Sequence, residues 1–449
     1  MSMSMIKDLL LKIVDKQPVS SELYYSMGKE IEISAFNGSI NNFTSAETSG
    51  VGARVALEGK IGSAFTESVT DQSISAILQK ARENSEYSAF DEGNVLYRGE
   101  ELPDSDEYMS KDIDSVPVDK KKEVARNLEQ FAKDYDSRIV NVPYAYYQEI
   151  SGETGIVSTE KTVAFRKSSF CGGLLYVMAS DGKDTQVGSA MRVYQNFSGI
   201  DVNFLVKEAA DNALSMLGAG ELETGTYNII LDEQVASQLL GVFISGGASH
   251  FFGENIQKNR SKFKGEPGEK VGCKLFTLKD DPLSGSLRSK TFDDEGVPTR
   301  AMVLAEEGIL RSVVHSVYSA ARSGVTSTGH SQRGGFSGGV ATGLHDAFIT
   351  NGTTGQNALM KQLDSGVLIT VVEGLHAGLD PITGDFSLSA KGYRISGGKQ
   401  GEPVRNFTIA GNFFEFINRI SAKADDRRVD RMSAFSSPSL LIPDVSVSG

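Results

Sequence analysis

Residues able to do chemistry are few in this chain and lie far apart. The candidate imidazoles are His250, His315, His330, His345 and His376, and the candidate thiolates are Cys171 and Cys273. Zinc sites draw such groups together at short spacings, as in His-Glu-x-x-His or Cys-x-x-Cys. Neither pattern occurs, so each histidine is read first as a structural side chain. Gly335-Phe336-Ser337-Gly338-Gly339 has the Gly-x-Ser-x-Gly form of a hydrolase elbow, but no apolar strand precedes it to make the strand-to-helix turn that exposes such a nucleophile. It also lacks the Lys-Ser/Thr of a phosphate loop and reads as flexible backbone. Phe292-Asp293-Asp294-Glu295-Gly296 sets three carboxylates side by side. Close carboxylates split their pKa values and could bind a cation or share acid–base work. Neighbours on a strand point to opposite faces, so the spacing favours a solvated turn. Lys258 and Arg260 are read as surface residues.

The elements that must position these groups follow from periodicity. Ile6, Leu9, Leu10, Ile13 and Val14 fall at helical spacing within residues 5–16. Glu30 to Ser34 alternates, Asn37-Gly38 is a hairpin turn, and residues 50–62 read as two strands joined at Glu58-Gly59. A helix returns at Ile74–Arg82. A similar order recurs: a helix over Val118–Tyr135 with Val124, Leu128 and Phe131 as its apolar stripe, strands over Val140–Glu149 and Gly155–Val163, a hairpin signal at Asp181-Gly182, and a helix over Val202–Leu217. The repeat, near 1–95 and 117–222, has a period of about 120 residues. Beyond it, Tyr227–Leu231 is a buried strand, and Asp232 caps a long apolar helix expected to run from Glu233 to about Phe252. Short strands and Gly-rich turns dominate from Val271, Asn351–Gln356 reads as a loop, and a late helix is expected at Phe413–Ile420. The fold class is therefore α+β: an N-terminal α/β region over 1–222, then a mostly antiparallel β domain over 223–449 with a long central helix.

At 449 residues the chain exceeds one ordinary core, and two or three domains are expected. The net charge of −13 repels phosphate backbones, and the densest basic run is only Lys120-Lys121-Lys122, so no direct nucleic-acid binding is expected. Two cysteines make no disulfide framework. Lys7, Asp8 and Lys12 interrupt the first apolar residues, and no window reaches the length of a membrane helix. A cytoplasmic protein without a membrane segment is expected.

Several ordered stretches resemble the TldD/PmbA family, the "modulator of DNA gyrase" family. They are Ile256–Ser261 with Gly268–Val271; Phe292–Thr299 with Gly308-Ile309-Leu310; Ser327–His330; Asp380–Ser387 with Gly392-Tyr393; Phe407–Asn412; and Ser437–Ile442. They cover 230–449 densely, while the first 220 residues match loosely, chiefly at Gly50–Gly62. The resemblance implies a cytosolic metallopeptidase of two kinds of subunit. One kind carries His-Glu-x-x-x-His on the central helix and a C-terminal cysteine, which bind zinc. Aligned back from Ser261, the three motif positions fall here on Ile244, Ser245 and Ser249, and no cysteine follows Cys273. The chain thus resembles the metal-free PmbA (TldE) kind, with no catalytic residue and no metal of its own. Zinc is expected in a TldD-like partner subunit, the substrate is expected to be an unfolded or leader-type peptide, and a homodimer is allowed when the chain is alone. Asp293, Asp294, Glu295 and His330 are assigned to a partner or peptide surface. Two alternatives stay open: an autonomous metallopeptidase with other ligands, such as His250 and Glu254, and an interaction protein that modulates gyrase or its inhibitor.

Overall fold

Alternating residues from Ser20 onward build strands long enough to span the whole N-terminal half. A computed structural model of the chain describes residues 1–429 and 433–449, the side chain at position 107 apart. Helix α1 (Met3–Val14) is capped by Ser2, whose Oγ accepts from the Met5 N–H at 3.3 Å. Strands β1 (Ser20–Phe36), β2 (Ser39–Leu57) and β3 (Lys60–Thr66) follow as a meander, then α2 (Asp71–Tyr87). Both tight turns use left-handed pairs, Asn37-Gly38 and Glu58-Gly59, which match the twist of paired strands. After the short β4 (Ser105–Tyr108) the order is repeated: α3 (Val118–Tyr135), β5 (Ile139–Ser158), β6 (Val163–Ser180), β7 (Thr185–Tyr194) and α4 (Val202–Leu214).

The two meanders join edge to edge. Strand β1 pairs antiparallel with β5, from Glu22 opposite Ser158 to Ser34 opposite Tyr146. The resulting seven-stranded sheet has the order β3-β2-β1-β5-β6-β4, with β7 also on β6. Side chains alternate across it. Leu23 and Tyr25 of β1 pack under α1 and α2 at one end, and Ile31, Ile33 and Ala35 under α3 and α4 at the other. Even-numbered β1 residues face the opposite, helix-free side.

Two details depart from the sequence reading. The strands expected at Val140–Glu149 and Gly155–Val163 are not separate: β5 runs unbroken through Gly152 and Gly155 to Ser158, and Val163 already opens β6. A Cβ at Gly155 would lie 2.2 Å from the Phe165 ring, so this glycine allows close approach rather than a turn. Phe131 is not in the apolar stripe of α3; it is 39% exposed, and Ala125, Leu128 and Ala132 make the contact.

The C-terminal half begins with β8 (Gly225–Leu231) and α5 (Glu233–Ile244), capped by Asp232. The expected long helix stops at Ile244. At Gly246 a Cβ would lie 2.3 Å from the Val242 carbonyl oxygen, and the chain turns there before α6 (Gly253–Gln257). Then come β9 (Leu278–Asp280), β10 (Met302–Glu306), β11 (Ile309–Leu310), α7 (Val317–Ser323), β12 (Ser331–Arg333), β13 (Val340–Thr342), β14 (Ala347–Ile349), α8 (Gln356–Leu363), β15 (Gly366–Glu373), β16 (Asp385–Ser396), β17 (Lys399–Asn412), α9 (Phe413–Arg419), β18 (Ala422–Lys423), β19 (Phe435–Ser436) and β20 (Leu440–Ser448). A six-stranded sheet, β17-β16-β15-β8-β20-β18, and a five-stranded one, β11-β10-β9-β14-β19, are mostly antiparallel; β8–β15 and β14–β19 are the parallel pairs. Helix α5 lies between them, with Val235, Leu239 and Phe243 in one core with Ile229, Ile369, Leu278 and Phe435. Among the described residues no helix is long and apolar enough to cross a membrane.

Candidate functional site

The turn after α5 holds the three positions aligned with the zinc motif. Ile244 is fully buried in the core. The Ser245 hydroxyl donates to the Gly241 carbonyl at 2.9 Å, and the buried Ser249 hydroxyl donates to the Ile244 carbonyl at 2.5 Å. Both hydroxyls are thus engaged by backbone carbonyls of the last turn of α5. Next to them His250 lies buried among Phe263, Phe413 and Phe414. Its Nε2–H donates to the Pro381 carbonyl at 3.1 Å, and its Nδ1 accepts from the Lys262 N–H at 3.2 Å. Burial pushes its pKa down to about 4, so the ring is neutral. Glu254 is paired with Lys258. An aliphatic side chain, two committed hydroxyls and an imidazole with both nitrogens engaged do not fit a zinc ion, which takes thiolate, imidazole and carboxylate donors.

The three neighbouring carboxylates form a turn, but not a solvated one. Asp293, Asp294 and Glu295 are 0%, 5% and 1% exposed. The turn inserts against the helix-free face of the large sheet, and each carboxylate has its own partners. Asp293 accepts the N–H groups of Glu295, Val297 and Ser331 at 2.9, 3.0 and 2.8 Å. Burial, then the charge of Glu295, raises its pKa to about 6. Asp294 pairs with Arg166 of β6 at 2.5 Å and accepts the Arg333 N–H at 2.9 Å. Burial alone would raise Asp294, but Lys290 and Arg166 hold it at about 2. Glu295 meets Arg54 of β2 at 2.9 Å and accepts from the Val317 N–H and the Ser331 hydroxyl. Arg54 and Arg333 in turn clasp the buried Glu22 of β1, holding it at about 2 against its burial.

His330 lies one residue before Ser331, wholly buried. Its Nε2 is 2.9 Å from Asp280 Oδ2, and its Nδ1 is 2.9 Å from the Thr328 carbonyl. The ring stacks on His345, whose pKa burial pushes well below the usual histidine range. In the single chain, then, all four residues assigned to a partner or peptide surface are buried, the carboxylate turn at the junction with the sheet and His330 within the C-terminal half. His315 is also buried, with Nδ1 3.2 Å from the Ser319 hydroxyl. Lys121 is buried against Glu149 at 2.7 Å.

Gly335–Gly339 is the loop of the β12–β13 hairpin, not a strand-to-helix elbow. Phe336 packs over β2 so closely that a Cβ at Gly52 would lie 2.2 Å from the Phe336 carbonyl oxygen. Beside it a cleft of about 620 Å³ opens between β3 and the loop, lined by Arg54, Phe65, Glu295, Arg333 and Ser337.

Models of the PmbA/TldA metallopeptidase domains match the chain in order: domain 1 over residues 21–85, the central domain over 111–217 and the C-terminal domain over 224–449. The chain belongs to the PmbA/TldD family. The metalloprotease PmbA homologue of Haemophilus influenzae is 26% identical over 453 residues, covering 98% of this chain and 94% of that protein. Metalloprotease PmbA of Escherichia coli O157:H7 is 25% identical with the same coverage. A solved Thermotoga maritima protein described as a candidate modulator of a DNA gyrase superposes with a TM-score of 0.88 over all of both chains, at 26% identity. TldE of Thermococcus kodakarensis has the same fold, with a TM-score of 0.85 at 21% identity.

Within this PmbA/TldD chain, sequence reasoning missed the charged partners that meet the carboxylate turn at the junction. Glu22, Arg54, Arg166 and Arg333 carry the ion pairs, yet each sits alone in a strand. Their one signal is a charged residue at a strand position whose neighbours two away are Tyr24, Gly52 and Ala164, which are buried or close-packed.

Proposed function

We propose that this chain is the metal-free, non-catalytic subunit of a cytosolic two-subunit metallopeptidase, which holds unfolded or leader-type peptides while a TldD-like partner supplies zinc and cleaves them. The observation that supports this most directly is the turn after α5. The three aligned positions hold Ile244, Ser245 and Ser249, and both hydroxyls are spent on carbonyls of their own helix. With neither a carboxylate base nor a ligand set at these positions, this turn has no means of activating a water.

The autonomous-peptidase reading is weaker, because it needs His250 and Glu254. Freeing them would break two hydrogen bonds of a buried ring and the pair with Lys258. Co-expression with a His-Glu-x-x-x-His paralogue tests the proposal: the two chains should co-purify, and peptide cleavage should need both. Cleavage by this chain alone, or its recovery alone from a co-expression, contradicts it. Capture of gyrase subunits without any peptidase partner would favour the interaction-protein reading instead.

A further inference from the structure

The helix-free face of the large sheet is only partly covered. At the Glu22–Tyr24 end of β1 the carboxylate turn sits on it, and Tyr24, Ile156 and Ala164 share a core with Phe292. At the other end none of the described residues lies over it. A trough of about 530 Å³ opens there between Tyr144 and Tyr146 of β5, Tyr176 of β6, Met191 of β7 and Glu32 of β1. Gly172, in register with Gln148 on one side and Val193 on the other, puts no side chain into it.

We infer that this trough anchors an extended peptide through a bulky apolar side chain flanked by a basic one. The rings are preset to receive the first. Tyr144 and Tyr146 stack with centroids 5.8 Å apart, and Tyr176 meets Tyr144 edge-on at 5.5 Å. Tyr144, Tyr176 and Met191 stand 50%, 36% and 40% exposed, a contiguous apolar surface rather than scattered residues. Among the described residues the three tyrosine hydroxyls have no hydrogen-bond partner, which leaves them for the main-chain groups of a ligand. Tyrosines around an apolar hollow give large contact area at low entropic cost.

Charge selects the second side chain. Among the described residues Glu32, on the rim, accepts only the Asn42 amide, at 3.4 Å, and Glu30, which accepts from Gln148, follows it along the same face. The cation among the lining residues, Arg192, turns to the helix side, where it pairs with Glu208 and lies over the Phe204 ring. The rim is therefore acidic. Here β1, β5 and β6 are interior strands whose main-chain groups are used by their neighbours, so recognition runs through side chains and not strand addition. A hollow of this volume takes two or three side chains of an extended segment, which favours a peptide over a folded partner. The biological sense of the site rests on the peptide-holding role proposed above, but its binding does not need a partner subunit.

The test is an anisotropy titration of the full chain, alone, with dye-labelled unstructured peptides in a Gly-Ser background carrying Arg-Phe, Glu-Phe or Arg-Ser. Arg-Phe should bind about tenfold more tightly than either of the others. Glu32→Lys should invert the order of Arg-Phe and Glu-Phe, and Tyr176→Ser should weaken both by about tenfold, with circular dichroism unchanged. Equal binding of the three peptides by the unmodified chain overturns the inference, as does no binding at all. So does a folded paralogue that saturates the trough when no peptide binds. Because the peptide series uses the unaltered protein, it decides the matter even if a variant folds poorly. Should the peptides bind as stated while no two-subunit complex forms, the trough stands and the subunit reading falls.

Discussion

Arg54 and Glu295 lie 241 residues apart in sequence and 2.9 Å apart in space, joining β2 of the large sheet to the carboxylate turn of the C-terminal half. Arg54 also grips Glu22 through two nitrogens, at 3.0 and 2.9 Å, so one guanidinium ties two strands and a turn together. A buried charge left without its partner is costly. Glu22→Gln leaves Arg54 and Arg333 short of a countercharge and should lower stability by about 3–5 kcal/mol, read in urea unfolding. An exposed ion pair such as Lys80–Glu83 should cost less than about 1 kcal/mol in the same assay.

The same junction sets an acid limit. Glu22 and Asp294 have folded pKa values of about 2, below the ordinary 4.5 and 3.8. Their stabilisation is complete above those ordinary values and is lost as pH falls from there towards 2. Asp293 has the opposite sign. Its folded value of about 6 lies above 3.8, so it favours the folded state at low pH, and that contribution fades as pH rises through 6. Thermal scans should therefore show a steep loss below about pH 4.5, shallower in Glu22→Gln.

How far the sequence disclosed this junction depends on the kind of signal. Period and turn chemistry are local, so the order of helices and hairpins, including the turns at Asn37-Gly38 and Glu58-Gly59, could be read directly. Long-range burial is not local. The run Asp293-Asp294-Glu295 has the composition of a solvated turn, and the arginines of three distant strands, with Lys290 and nearby backbone N–H groups, make its burial tolerable. The α5 helix ends earlier than its apolar pattern suggests: Phe251 and Phe252 return to the core, but the backbone turns at Gly246 and they lie outside the helix. The trough was invisible because its tyrosines alternate with buried residues, as in any half-covered strand.

Gly52 should tolerate no side chain. A Cβ there meets the Phe336 carbonyl oxygen at 2.2 Å, so Gly52→Ala must push the β12–β13 loop off β2. We expect a loss of about 1–3 kcal/mol and faster proteolysis within residues 334–339 than in the unmodified chain.

His250 should titrate late. With a folded value of about 4, below the usual 6.5, its neutral form stabilises the fold fully above 6.5, and that stabilisation is lost as pH falls from 6.5 to 4. Its NMR signals should keep the neutral form's shift at pH 5.5 and change only as pH nears 4.

Cys171 should be chemically silent. It is buried under α3, and burial pushes its thiol up to about 12. Since the thiolate is the nucleophile, iodoacetamide at pH 8 should leave it unlabelled in the folded chain and label it after denaturation.

The most direct measurement is metal content by mass spectrometry, on the chain purified alone and after co-purification with a His-Glu-x-x-x-His paralogue. The account predicts no zinc above background in the first sample and about one ion per pair of chains in the second. Stoichiometric zinc in the chain alone, lost together with cleavage activity on chelation, would contradict it.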